Sequence, residues 1–307
     1  MTEIDSAWCN ANPVPPPTGD TSKDGRGSLV IAGGSRLVPG ALLLTGEAAL
    51  RVGAGKVKLA TIESAATGLG LRFPEAAVVA LPEADGDIAG DAIDRLCGLV
   101  GQSDTLVLGP GMDGKDAAAR LVEGIAARPS SETSLLLDAA AAACAGPLCD
   151  LLAGYADRLV FTPHMGEMAS LTGLDKDAIA ADPVGVATRV AARFRAVVVL
   201  KDAETTVAAP DGTVLHYPGG GVGLGTGGSG DVLAGAIGGL MARGMPPLVA
   251  AGWGVRLHGE AGRLLAARVG TVGFLARELL PELPRWLPRY GLRRIECLRP
   301  HRFRGSG

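Results

Sequence analysis

The chain has 307 residues, of which 47% are hydrophobic, 20% charged and only 4% aromatic, with a formal net charge of −3 at neutral pH. The length fits one large α/β domain whose core is built from Ala, Val and Leu, and the slight acidity argues against nucleic acid as the main partner. The start MTEIDSAWCNANPVPPP has neither a basic opening nor an apolar core of signal-peptide type, and no apolar run reaches the roughly 18–20 residues of a membrane span. Cys9, Cys97, Cys144, Cys149 and Cys297 show no CxxC or Cys/His ligand spacing and read as reduced thiols of a cytoplasmic protein.

Residues 1–26 are rich in Pro, Asp, Ser and Lys without periodicity and read as an arm that packs on the domain or on a neighbouring subunit. From Ser28 short apolar runs alternate with longer Ala/Leu-rich segments. Ser28–Ala32 reads as a strand before the turn Gly33-Gly34-Ser35, Pro39–Val52 as a helix, and Lys56–Thr61 and Ala76–Leu81 as strands. Asp91–Val100 is the next helix. Thr105–Leu108 is a strand running into Gly109-Pro110-Gly111, and Ser134–Asp138 is a strand with an acid at its end. Leu159–Thr162 is a strand ending in Pro163-His164, and Glu167–Leu171 begins a helix. Val197–Lys201 is a further strand, and Thr205–Ala209 with Thr213–Tyr217 form a hairpin across Pro210-Asp211-Gly212. Asp231–Arg243, Leu248–Arg268 and Val272–Leu283 read as helices. The segment Arg285–Arg304 holds seven arginines and little acid, as a solvated tail or an anion-binding lid.

Near-continuous apolar strands alternating with helices predict a mostly parallel sheet covered on both faces. Ligands of such sheets bind at the strand carboxyl ends. Gly33-Gly34-Ser35, Gly109-Pro110-Gly111, Asp138, Thr162–Glu167 and Lys201 all fall there.

The strongest chemical signal is GGGVGLGTGGSGD, Gly219–Asp231, in which eight of the twelve residues before the acid are glycine. Glycines let backbone N–H groups approach a ligand closely, and the helix that follows at once adds unpaired donors and partial positive charge. Together these form an anion site. No Lys-Ser/Thr follows the glycines and no ribose-binding acid follows at Rossmann spacing, so neither the Walker nor the dinucleotide pattern applies. A carboxylate beside a phosphate cradle suits proton abstraction from an attacking hydroxyl, and Asp231 is the candidate base. A first-turn helix acid is its plainer role. His164 and Glu167 leave one strand end together, as a substrate contact and as an organiser of water or Mg²⁺ near phosphates; an ordinary surface histidine and a first-turn acid are the alternatives. Lys201 closes a buried strand, either snorkelling at the edge or facing a nucleotide.

These segments, in this order, resemble the NAD(P)H-hydrate dehydratases of the ribokinase-like superfamily. The resemblance rests on Gly33-Gly34-Ser35, Pro39-Gly40-Ala41, the Ala48–Gly55 stretch, Phe73-Pro74-Glu75, Gly109-Pro110-Gly111, Asp138, Thr162-Pro163-His164 with Gly166-Glu167, Leu200-Lys201, Thr226–Gly235 and Leu257-His258-Gly259. It covers roughly residues 25–285, and TPHxGE together with TGGSGDVLAG is highly specific. It implies a three-layer α/β sandwich with a mostly parallel central sheet. The domain would span residues 27–285 between the arm of residues 1–26 and a basic tail at 286–307.

The resemblance further implies that Ala41, Gly111, His164 and Asp231 contact the hydrated nicotinamide dinucleotide. Lys201, Asp202, Ala203, Glu204 and Thr205, with Thr226, Gly227, Gly228, Ser229 and Gly230, would hold the adenine nucleotide. The reaction would convert (S)-NADHX or (S)-NADPHX to NADH or NADPH, with ADP or ATP as co-substrate and with Mg²⁺. It would pass through a phosphorylated hydrate with Asp231 as base. A homo-oligomer, and an NAD(P)HX epimerase on a separate protein, are implied as well. Three positions depart from the family pattern: Ala140 stands where a second acid is usual, Gly221 where Asn is common, and Asp202 where Gly is common. The cradle and the base are intact. A kinase of the same fold acting on a small alcohol, and a nucleotide sensor without turnover, are the competing readings.

Overall fold

A computed structural model describes residues 1–16 and 24–288; the basic segment beyond lies outside the described residues. The described residues contain twelve strands: β1 (Thr2–Glu3), β2 (Ser28–Ala32), β3 (Lys56–Ile62), β4 (Ala77–Leu81), β5 (Glu83–Ala84), β6 (Asp87–Ile88), β7 (Thr105–Leu108), β8 (Ser134–Leu137), β9 (Leu159–Phe161), β10 (Ala196–Leu200), β11 (Thr205–Ala208) and β12 (Val214–Tyr217). Ten of them form one sheet in the order β1-β12-β11-β10-β9-β8-β7-β2-β3-β4, and β5 and β6 make a separate small hairpin. Only β11 runs against its neighbours, β10 and β12; every other pairing in the large sheet is parallel.

The pleat sends alternate residues to opposite faces. Leu29 and Ile31 of β2, Val107 of β7 and Val197 and Val199 of β10 enter one core. Val30, Ala32, Leu106, Leu108, Ala196, Val198 and Leu200 enter the other. Helices Ala41–Arg51, Ser229–Ala242 and Pro247–Arg268 cover the first face, and helices Ile93–Val100, Lys115–Ala126 and Pro183–Phe194 cover the second. The expected three-layer sandwich results.

Helix Ser229–Ala242 is buried on nearly every side, which explains its near-uniform apolar sequence. Glycines permit this. A Cβ at Gly235 would lie 2.1 Å from the carbonyl oxygen of Thr45, one at Gly239 2.7 Å from Ala49 Cα, and one at Gly238 2.5 Å from Val107 Cγ2. The helix thus lies close against both its neighbour and the sheet, and its N-terminus is fixed at the sheet's carboxyl edge.

The arm packs on the domain. Thr2 and Glu3 pair with Leu215 and His216, Asp5 caps a helix (Ser6–Ala11) by accepting from the Trp8 N–H at 2.8 Å, and Trp8 is buried over Gly252. Its lack of periodicity reflects an element too short to show one. Two readings need correction. The helix expected from Pro39 begins at Ala41, after a Pro-Gly turn. Val272–Leu283 is not one helix: Gly273 has φ +104°, a single α-turn spans Ala276–Leu279, and a 3₁₀ segment with Pro281 and Pro284 runs to Trp286.

Candidate active site

Because β2, β7, β8, β9 and β10 run the same way, the clusters that follow them meet at one edge of the sheet. Gly109 has φ +123°, and a Cβ there would lie 2.0 Å from the Asp138 carbonyl oxygen. This close approach brings the β7 and β8 ends together. Asp138 is buried, and its Oδ1 accepts from Thr162 Oγ1 at 2.6 Å and from Lys201 Nζ at 3.1 Å. Lys201 Nζ also lies 3.8 Å from Glu167 Oε2. Burial pushes the Lys201 ammonium down, but the carboxylates of Asp138, Glu167 and Asp231 outweigh it and hold the lysine above its ordinary range. It is a committed cation.

His164 and Glu167 form a reciprocal cap on the helix Met165–Thr172. His164 Nδ1 accepts from the N–H groups of Gly166 and Glu167 at 2.9 and 3.1 Å, and Glu167 Oε2 accepts from the His164 N–H at 2.8 Å. Nδ1 is therefore unprotonated and the ring proton sits on Nε2, which lies 3.2 Å from Glu167 Oε1. Burial raises the Glu167 carboxyl above its ordinary range, Lys201 opposes that rise and Asp138 adds to it. Among the described residues no group of three or more His, Cys, Asp or Glu side chains converges as a metal cage.

The glycine segment ends at the first turn of helix Ser229–Ala242. Gly228 caps the helix with φ +89°, where a Cβ would lie 2.5 Å from Leu44 Cδ1. At Gly230 a Cβ would lie 3.3 Å from Lys201 Nζ, so the ammonium rests against the backbone of the first turn. Ser229 Oγ bonds the buried His258 Nε2 at 2.9 Å, and burial lowers that imidazole to about 4, leaving it neutral. Asp231 follows in the same turn. Burial, then repulsion from Asp138, raises its carboxyl to about 7, with Lys201 pulling the other way. A carboxyl poised near neutrality is suited to accept a proton.

Two cavities flank this helix start and share Thr226. The first, about 650 Å³, is lined by Lys201, Asp202, Ala203, Thr205, Ser229 and Gly230 among others, and also by His164 and Gly221. The second, about 640 Å³, is lined by Ala41, Gly227, Gly228 and Asp231. Gly111 lies under it: at φ +69°, its Cβ would come within 2.7 Å of Ala41 Cβ. The expected nucleotide set is therefore split, since Gly227 and Gly228 face the second cavity. Glu204 is not on either wall, and its Oε2 meets His216 Nε2 at 2.8 Å. Of the expected substrate set, His164 borders the first cavity rather than the second. Sequence reasoning assigned no role to Asp138 or His258, although each stood in a recognised motif, and it passed over Arg72 and Arg277 in the second cavity.

Fold and site together define a ribokinase-like protein, a class in which solved structures share this sandwich. Residues 29–285 match the family model described as NAD(P)H-hydrate dehydratase, and the chain belongs to that family. It is 47% identical over 293 residues to the ADP-dependent (S)-NAD(P)H-hydrate dehydratase of Xanthomonas campestris pv. campestris, covering 93% of this chain and 96% of that one. It is 36% identical to the bifunctional NAD(P)H-hydrate repair enzyme Nnr of Moorella thermoacetica, covering 95% of this chain and 54% of that protein. The ADP/ATP-dependent NAD(P)H-hydrate dehydratase of Bacillus subtilis, co-crystallised with ATP/Mg²⁺, superposes with a TM-score of 0.76 at 26% identity, covering 93% of this chain and 97% of that one.

Proposed function

We propose that the chain dehydrates (S)-NADHX and (S)-NADPHX to NADH and NADPH at the expense of an adenine nucleotide, ADP first. The observation that carries this reading is the position of Asp231. It stands on the turn that cradles phosphate yet faces the second cavity, while Ser229 and Gly230 of the same turn face the first. The nucleotide occupies the first cavity with its terminal phosphoryl group over the helix start. The hydrated ring occupies the second, beside Ala41.

Asp231 takes the proton of the ring hydroxyl, and the oxygen attacks the terminal phosphorus. The bond from that phosphorus to the nucleotide's bridging oxygen breaks, releasing AMP from ADP. Backbone N–H groups at Thr226–Gly230 stabilise the charge on the moving group. Phosphate then leaves the ring with the C–O electron pair, pushed by the ring nitrogen, and loss of a neighbouring proton restores the double bond. Lys201, held by Asp138 and Glu167, keeps a positive charge against the Gly230 backbone throughout. Mg²⁺ would come with the nucleotide phosphates and retain most of its water shell. Glu167 would meet it only through water, because both its oxygens already face His164. The same reading carries a homo-oligomeric assembly, cytoplasmic residence, and a separate NAD(P)HX epimerase that feeds the S epimer.

The test is incubation with hydrated NADH plus ADP, ATP or neither, following the reappearance of NADH absorbance. Recovery only when nucleotide is present supports the reading. No recovery with either nucleotide, alongside stable phosphorylation of a small alcohol, overturns it in favour of a kinase.

A further inference from the structure

The two cavities differ in the cations they offer. On the wall of the first, the charged side chains are Lys201 and Asp202 beside the neutral His258 and the capping His164. Lys201 is already committed to Asp138 at 3.1 Å and Glu167 at 3.8 Å. Phosphates there rely on the helix start and its backbone donors. The second cavity carries four charged side chains: Glu47, Arg72, Asp231 and Arg277. Glu47 is paired with Arg51 at 2.9 Å, outside the cavity wall. Arg72 and Arg277 make no hydrogen bond or ion pair among the described residues. Both are exposed, so neither guanidinium bears a desolvation penalty that a partner would have to offset.

Their local roles are small. Arg72 closes the helix Glu63–Arg72 and Arg277 stands in the single turn Ala276–Leu279. A cation at a helix end contributes only about 0.3–1 kcal/mol. They come from opposite parts of the chain. Arg72 precedes Phe73, which lies against Gly46, and Arg277 follows Ala276, which lies against Gly228 of the cradle. Two unpaired, planar, five-donor cations on one cavity wall suit a phosphate-bearing occupant, which each binds through paired N–H donors.

We propose that Arg72 and Arg277 form an anion clamp for a phosphate group of the dinucleotide, and so determine how the substrate is anchored while its ring reaches Asp231. The inference rests on the assignment of the dinucleotide to the second cavity. Two sources share the chemistry: the pyrophosphate of every nicotinamide dinucleotide, and the 2′-phosphate of the NADP forms.

The test uses Arg72→Gln, Arg277→Gln and the double variant, with ADP affinity as the control for an intact cradle. Binding of NADH and NADPH to the full chain is measured directly, since these carry the same phosphates and require no turnover. Each substitution is expected to weaken dinucleotide binding about ten-fold, equivalent to ~1.4 kcal/mol, and more so at low salt. Weakening of both dinucleotides assigns the clamp to the pyrophosphate, and weakening of NADPH alone assigns it to the 2′-phosphate. A double variant that binds both as tightly as wild type overturns the clamp, as does a wild type that binds neither. If the double variant loses dinucleotide binding while wild type turns over neither hydrate, the clamp stands and the dehydratase reading falls.

Discussion

Asp231→Asn exposes a conflict between stability and catalysis that the site predicts in both sign and size. The carboxyl is raised from an ordinary 3.8 to about 7, chiefly by burial and then by Asp138. An acid raised in this way is charged in the unfolded chain at pH values where the folded protein keeps it protonated. Between about pH 4 and pH 7 the native state therefore binds the extra proton, and stability falls as pH rises through that window. Above pH 7 the full cost is present. At ~1.36 kcal/mol for each pH unit, the rise corresponds to about 4 kcal/mol of strain carried by the ionised site. The amide is nearly isosteric and needs no ionisation, but its own desolvation returns part of the gain. A net stabilisation of about 2–4 kcal/mol at pH 8 is expected, or roughly 4–8 °C in Tm at ~2 °C per kcal/mol. The assay is thermal unfolding of both proteins from pH 4 to 8.5, with ADP binding as a control and turnover measured in parallel. The gap should be near zero at pH 4, open towards pH 7 and stay constant above, while turnover is lost and ADP still binds. A gap that does not change with pH, or a variant less stable than wild type at pH 8, refutes the assignment of Asp231 as a buried, repelled carboxylate.

Two other perturbations separate the cradle from its electrostatics. Lys201→Met removes the cation that restrains Asp231, so the acid limb of kcat/KM should move to higher pH; the uncompensated Asp138 should cost about 3–5 kcal/mol in urea unfolding. An acid limb that moves down would contradict the charge arrangement. Gly230→Ala places a methyl group 3.3 Å from Lys201 Nζ on the wall of the first cavity while favouring the helix by about 1 kcal/mol. Nucleotide Kd should rise at least about ten-fold with Tm unchanged or higher, and unchanged affinity would count against phosphate contact at this turn.

The ordering of the elements along the chain was legible because it depends on local signals. Apolar runs of four or five residues such as Thr105–Leu108 and Ser28–Ala32 cannot bury both faces except inside a covered parallel sheet, and the structure places both within it. Eight glycines followed at once by DVLAGAIGGLMAR announce a helix start free of side chains, and helix Ser229–Ala242 begins there. Asp231 could be singled out because an acid at that point contradicts the Walker pattern. The helices Lys115–Ala126 and Pro183–Phe194 were missed although each buries a one-sided apolar stripe, Leu121, Val122 and Ile125 in the first and Val186, Val190 and Phe194 in the second, because much of the rest of the buried face is alanine.

What the sequence by itself determined was residue types at fixed positions: a glycine-rich helix start, a carboxylate in its first turn, and TPHMGE at a strand end. Only the tertiary structure decided which of these groups touch. Lys201 and Asp138 are 63 positions apart and Ser229 and His258 29 apart, and their bonds arise because parallel strands and packed helices deliver them to one edge. The same packing set Asp231 in a second cavity with Ala41, sent His164 to the first, and brought Arg72 and Arg277 to one wall. The physical reason is range. Backbone preference and turn chemistry act over a few residues and are written locally, whereas burial and Coulomb interactions depend on distances that exist only once the sheet has closed its order.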